Sequence, residues 1–163
     1  MAVLNLAEGF SSYKEWATDP HPRIGWGMDW FDRPTGGGLA KSEIAMIQAF
    51  SSVGKTTIAL NIIRNNPSIP CLIFSLEMSA RQLAGRIGAM ELATTTQDIE
   101  AALKAGRDVP DLQKVADRFH SLVIDDTPSI SLKQATQSFE EATERLGTPP
   151  RLVFWDYLEL IQG

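Results

Sequence analysis

Ala49-Phe50-Ser51-Ser52-Val53-Gly54-Lys55-Thr56 is the stretch that decides the fold. It follows an apolar run, Glu43-Ile44-Ala45-Met46-Ile47-Gln48-Ala49, read as a buried strand over 43–49. It precedes a helical pattern over 56–65 that Pro67 stops. Strand, glycine-lysine-threonine loop and helix together are the context of a phosphate-binding loop, or P-loop. Backbone N–H groups through Ser51, Ser52, Val53 and Gly54 can curl into an anion nest, and the helix N-terminus adds a partial positive charge. Gly54 allows close approach, and Lys55 sets a point charge on the β- and γ-phosphates. The Thr56 hydroxyl can ligate Mg²⁺, with Thr57 next in the helix. Ala49 opens the loop where the usual pattern has glycine; small size is what that turn needs.

Outward from the loop the chain alternates. Residues 70–76 and 121–125 read as strands, and 151–157 (Arg-Leu-Val-Phe-Trp-Asp-Tyr) as another. Ser79 with Gln82 and Ser131 with Gln134 make capping boxes. The first opens a helix with Ala80, Leu83, Ala84, Ile87 and Met90 on one face, and the second one with Leu132, Ala135, Phe139, Ala142 and Leu146. Shorter helices are expected over 97–106 and 110–119, Pro110 suiting a first helical turn. Strands separated by helices mean βαβ crossovers and a parallel sheet. Upstream, residues 4–18 read as a helix with Leu6, Phe10, Tyr13 and Trp16 as a rough apolar stripe. Asp19-Pro20-His21-Pro22 breaks it, giving an N-terminal helix and linker over 1–22 and a nucleotide-binding domain over 23–163. Trp26, Trp30 and Trp155 read as core or near-site residues.

Composition narrows the function. With 163 residues and 44% hydrophobic content the chain can bury a core, and the composition points away from disorder throughout. Net charge −5 rules out a strongly cationic nucleic-acid coat protein, though not a local basic groove. Arg81, Arg86, Lys104, Arg107 and Lys114 read as solvated helix faces rather than as a DNA-binding stripe. A single cysteine, Cys71, excludes an intrachain disulfide and a Cys-rich zinc site. No signal peptide and no apolar run of ~20 residues is visible, so a soluble, cytoplasmic protein without a membrane partner is expected.

Hydrolysis of a bound nucleotide would need two acids. Asp156 ends the run Leu152-Val153-Phe154-Trp155, as an aspartate acting on the Mg²⁺ shell should; a turn-capping role is the alternative. Asp125-Asp126 is a rival pair, read mainly as turn chemistry before Thr127-Pro128. Glu77 ends the 70–76 strand at the carboxyl edge, where nucleotides bind on parallel sheets. It can orient or deprotonate water, or simply complement a helix N-terminus.

These residues together resemble the RecA-like ATPase domain of the DnaB-type replicative helicases. The match runs over about residues 23–162. It comprises the lead-in from Gly25 to Leu39 with Asp29, Asp32 and Gly36-Gly37-Gly38, the P-loop, Phe74-Ser75-Leu76-Glu77-Met78-Ser79, Asp126-Thr127-Pro128, and Asp156-Tyr157-Leu158-Glu159-Leu160. The resemblance implies an α/β, RecA-like P-loop fold, a parallel sheet flanked by helices. It implies ATP and Mg²⁺ as cofactors, with Lys55 and Thr56 on the phosphates and metal, Glu77 as catalytic base and Asp156 on the Mg²⁺ shell. It further implies a hexameric ring of identical subunits moving 5′→3′ on single-stranded DNA, in a phage-like replicative helicase.

Departures are Phe50-Ser51 where the helicases usually have Arg-Pro, Phe31 near an expected Leu, and Glu159 where Gln is common. The chain stops just after the Asp156 segment, so the domain is expected to be truncated. In RecA-like sheets the next strand usually lies between the P-loop strand and the strand of the Mg²⁺ acid. A fragment, a second polypeptide, or different strand pairing would each meet its absence. An arginine finger is worth roughly 10³–10⁵ in rate, so slow hydrolysis by this chain alone is expected. A nucleotide-binding adaptor or assembly module, helicase-loader-like or a RecA-like recombination accessory, is the alternative function, with a RecA-like strand-exchange ATPase a third.

Overall fold

Asn5 starts the first helix, α1 (Leu6–Ala17), by accepting the N–H groups of Ala7 and Glu8, while the Glu8 carboxylate accepts the Asn5 N–H at 2.8 Å. A computed structural model describes residues 4–18, 23–50, 53–109 and 111–156. They fall into two units, one up to Met46 and one from Ile47 onward. In the first, the stripe on α1 forms as read but buries no residue; Phe10 and Tyr13 are 65% and 63% exposed. The Arg23 guanidinium lies 5.7 Å over the Trp16 ring. The Asp19–Pro22 linker lies outside the described residues.

The rest of this unit is a closed loop. Ile24 and Leu39 pair as an antiparallel bridge, and between them sits a one-turn helix, α2 (Asp29–Asp32). Asp32 accepts the N–H groups of Trp26 (2.7 Å) and Met28 (3.0 Å), and the buried Trp26 indole donates to Thr35 Oγ1 at 3.0 Å. Gly38 has φ +113°, and a Cβ there would fall on the Ile24 carbonyl, so this turn requires glycine. Trp30 does not join the core: it is 67% exposed. Successive side chains on a single turn diverge by about 100°, and Phe31 rather than Trp30 faces Trp26, at 5.5 Å.

The second unit carries the sheet. Its elements are α3 (Lys55–Asn65), β1 (Cys71–Ser75), α4 (Ala80–Glu91), α5 (Thr96–Lys104), α6 (Asp111–Arg118), β2 (Leu122–Asp125), α7 (Leu132–Leu146) and β3 (Leu152–Asp156). All three strands are parallel, in the order β2-β1-β3. As the central strand, β1 is buried along its whole length, which is why it reads as a continuous apolar run. Both capping boxes, at Ser79 and Ser131, are present. Side chains alternate across β1. Leu72 and Phe74 pack with Ile130 and with Ala135, Phe139 and Ala142 of α7, and Trp155 of β3 stacks on Phe74 at 4.0 Å. Cys71 and Ile73 point to the other face and are also buried; burial pushes the Cys71 thiol up to about 12. On α4, Leu83 and Ile87 are buried while Ala84 is exposed. Arg81, Arg86, Lys104, Arg107 and Lys114 are exposed, as read. Pro110 lies outside the described residues.

The strand expected over 43–49 does not form. Residues 43–50 have no regular structure, and Ile44 and Met46 are 95% and 77% exposed. A strand exists only through a ladder to a neighbour, and among the described residues nothing pairs with this run.

One device was invisible in the sequence. The Glu91 carboxylate, 9% exposed, takes Arg64 Nε on one oxygen and Arg118 Nη1 on the other, both at 2.7 Å. It ties α3, α4 and α6 together. The arginines are half-exposed, so solvent screening keeps the value at the low end of charge-assisted bonds. Glu91→Gln is expected to cost about 1–2 kcal/mol, read as a lowered urea midpoint; an unchanged midpoint would show that the helices hold without this carboxylate.

Candidate active site

Lys55 is the first residue of α3, and Gly54 before it is the N-cap at φ +105°. The left-handed turn favours glycine, and no side chain caps this helix, so its N-terminal donors face whatever ligand arrives. The Lys55 ammonium donates to the carbonyls of Ala49 (3.0 Å) and Phe50 (3.5 Å). Val53 and Thr57 flank this turn and are exposed. Ser51 and Ser52, also read as phosphate ligands, lie outside the described residues, as do Tyr157 and Glu159.

Across 100 residues of sequence, Thr56 Oγ1 donates to Asp156 Oδ2 at 2.7 Å. Asp156 is 7% exposed at the carboxyl end of β3. A hydroxyl and a buried carboxylate in contact are hard oxygen donors of the kind Mg²⁺ takes. Among the described residues no group of three His, Cys, Asp or Glu gathers. That donor set fits a magnesium ion whose remaining oxygens come from phosphate and water rather than from a protein cage.

Glu77 sits in the turn between β1 and α4 and is exposed. Register places Ser75 opposite Asp156, so Glu77 leaves the same sheet edge on which Asp156 ends. The Leu76 N–H donates to the Asp156 carbonyl at 2.9 Å, which couples the two acids through backbone. The rival acids do other work. Asp125 Oδ1 accepts the Thr127 N–H at 2.9 Å in its own turn, and Asp126 Oδ2 accepts the Ala80 N–H at 2.7 Å. Sequence reading found that turn chemistry but not the reach to α4, since the partners are 46 residues apart. It also missed the buried Ser75 hydroxyl, which donates to the Met78 carbonyl at 2.6 Å.

The parallel sheet, its flanking helices and a glycine-capped helix facing a strand-end carboxylate put the chain in the class of RecA-like P-loop ATPase domains. The model of the DnaB-like helicase C-terminal domain family matches residues 24–163, and the chain belongs to that family. It is 36% identical over 148 residues to the replicative DNA helicase DnaB of Geobacillus stearothermophilus, covering 84% of this chain and 31% of that protein. To the replicative DNA helicase DnaB of a Synechocystis species it is 33% identical over 132 residues, covering 78% of this chain and 15% of that protein. Its fold superposes on a solved ATPase domain with a TM-score of 0.73 at 23% identity, over 99% of this chain and 60% of that one. The chain thus spans well under half the length of these two curated relatives.

Proposed function

We propose that this chain is the ATP-binding and ATP-hydrolysing core of a DnaB-like replicative DNA helicase. In that reading hydrolysis is coupled to 5′→3′ translocation on single-stranded DNA within a hexameric ring. The observation that supports it is the Thr56–Asp156 contact at 2.7 Å, which joins the loop–helix turn to the strand-end acid and pairs two oxygen donors of the kind Mg²⁺ takes. Lys55 would neutralise the β- and γ-phosphates. Backbone donors from Ser51 through Thr57 would hold phosphate oxygens. Thr56 and Asp156 would hold Mg²⁺, which when bound supplies charge neutralisation on the transferred phosphoryl group. Glu77 would orient and deprotonate the attacking water. The cytoplasm is the proposed site of action; among the described residues no helix is long and apolar enough to cross a membrane.

Calorimetric titration with Mg·ATP tests the seat. Lys55→Ala removes charge-assisted hydrogen bonds worth about 1.5–3 kcal/mol in total. Affinity is therefore expected to fall about 10–150-fold. Equal affinity in the two proteins would reject the seat. Stimulation of turnover by single-stranded DNA tests the helicase assignment itself.

A further inference from the structure

We propose that Asp126 is a positioning residue for Glu77: from the end of β2 its carboxylate holds the β1–α4 turn on which Glu77 is carried. The proposal rests on the reading of Glu77 as the base.

The turn is pinned on both sides of Glu77. Before it, the Leu76 N–H bonds the Asp156 carbonyl at 2.9 Å. Around it, the buried Ser75 hydroxyl donates to the Met78 carbonyl at 2.6 Å. After it, the capping box satisfies the N–H groups of Gln82 and Ser79 within the helix itself. That leaves the first helical donor, the Ala80 N–H, without a local acceptor; a helix start exposes four such donors and a box covers only some of them. Asp126 Oδ2 takes it at 2.7 Å. Among the described residues this is the one side-chain hydrogen bond to residues 76–80 that comes from the end of another strand. Its neighbour Asp125 is spent on its own turn at Thr127. The two adjacent acids are thus divided, one shaping the β2 exit and the other reaching across the sheet edge. A water-orienting carboxylate tolerates little displacement: an error near 1 Å can cost about 10²-fold in rate. The bond from β2 fixes the far end of the segment whose near end β3 fixes.

The test compares wild type, Asp126→Ala, Asp126→Asn and Glu77→Gln in this chain. The readouts are single-turnover ATP hydrolysis with protein in excess, its concentration dependence, and amide exchange at Ala80. Asn keeps an acceptor oxygen and discards the charge. The expected result is at least a tenfold lower maximal rate in Asp126→Ala, with half-saturation within twofold, faster exchange at Ala80, and a rate in Asp126→Asn within about threefold of wild type. Wild-type rates in Asp126→Ala beside an inactive Glu77→Gln would overturn the positioning role and leave Glu77 standing. Equal loss in Asp126→Ala and Asp126→Asn would assign the effect to charge and also overturn it. A Glu77→Gln protein indistinguishable from wild type would remove the base assignment, and this inference with it.

Discussion

Glu77→Gln is expected to lower ATP turnover by about 10²–10⁴-fold, the range a positioned general base contributes, while Mg·ATP affinity stays within a few-fold. The separation follows from placement. The proposed phosphate and metal contacts lie on α3 and at the end of β3, whereas Glu77 is on the β1–α4 turn and its amide variant keeps the same shape. Gln can hydrogen-bond a water but cannot take its proton. Pre-steady-state hydrolysis read beside equilibrium binding separates the two quantities. Retained turnover with intact binding would move the base elsewhere.

Phe74→Ala should cost about 3–5 kcal/mol, the usual range for truncating a buried aromatic. Phe74 is 1% exposed, lies in the central strand, and stacks flat against Trp155 with ring planes 17° apart. The stack adds about 0.5–1.5 kcal/mol to its area burial. Native domains hold only about 5–15 kcal/mol in all, so the variant should sit near its unfolding midpoint at 37 °C. Urea melts followed by circular dichroism would show it. A loss below 1 kcal/mol would mean that α7 can collapse onto the vacated space.

Much of this architecture was legible because its causes are local. Three apolar runs of strand length became β1, β2 and β3 in parallel, and two Ser–Gln capping boxes marked the starts of α4 and α7 within a residue. The P-loop helix and the acid at 156 were legible as a motif, and the structure brings Thr56 and Asp156 into contact. The failures have one origin. Ile44-Ala45-Met46-Ile47 has strand composition, but being a strand is a property of a pair of chains, and composition carries no information about the partner. Trp30 read as core or near-site from its chemistry, and the core half of that reading fails because a one-turn helix turns it outward. Glu91 drew no reading from the sequence, because its arginines are each 27 positions away, in opposite directions along the chain. The long arm of Asp126 was hidden for the same reason.

The strand order has a consequence for the birth of the molecule. Of the three described strands the middle one is made first, and both its neighbours arrive later, the second ending 81 residues after Ser75. At about 5–20 residues per second on a ribosome, an apolar ribbon would wait roughly 4–16 s for its last flank. The acid that meets Thr56 ends that flank, so the last of the three described strands to be synthesised also completes the contact at the start of α3. Nucleotide capture by a nascent chain would therefore time the moment at which β1 gains its second neighbour.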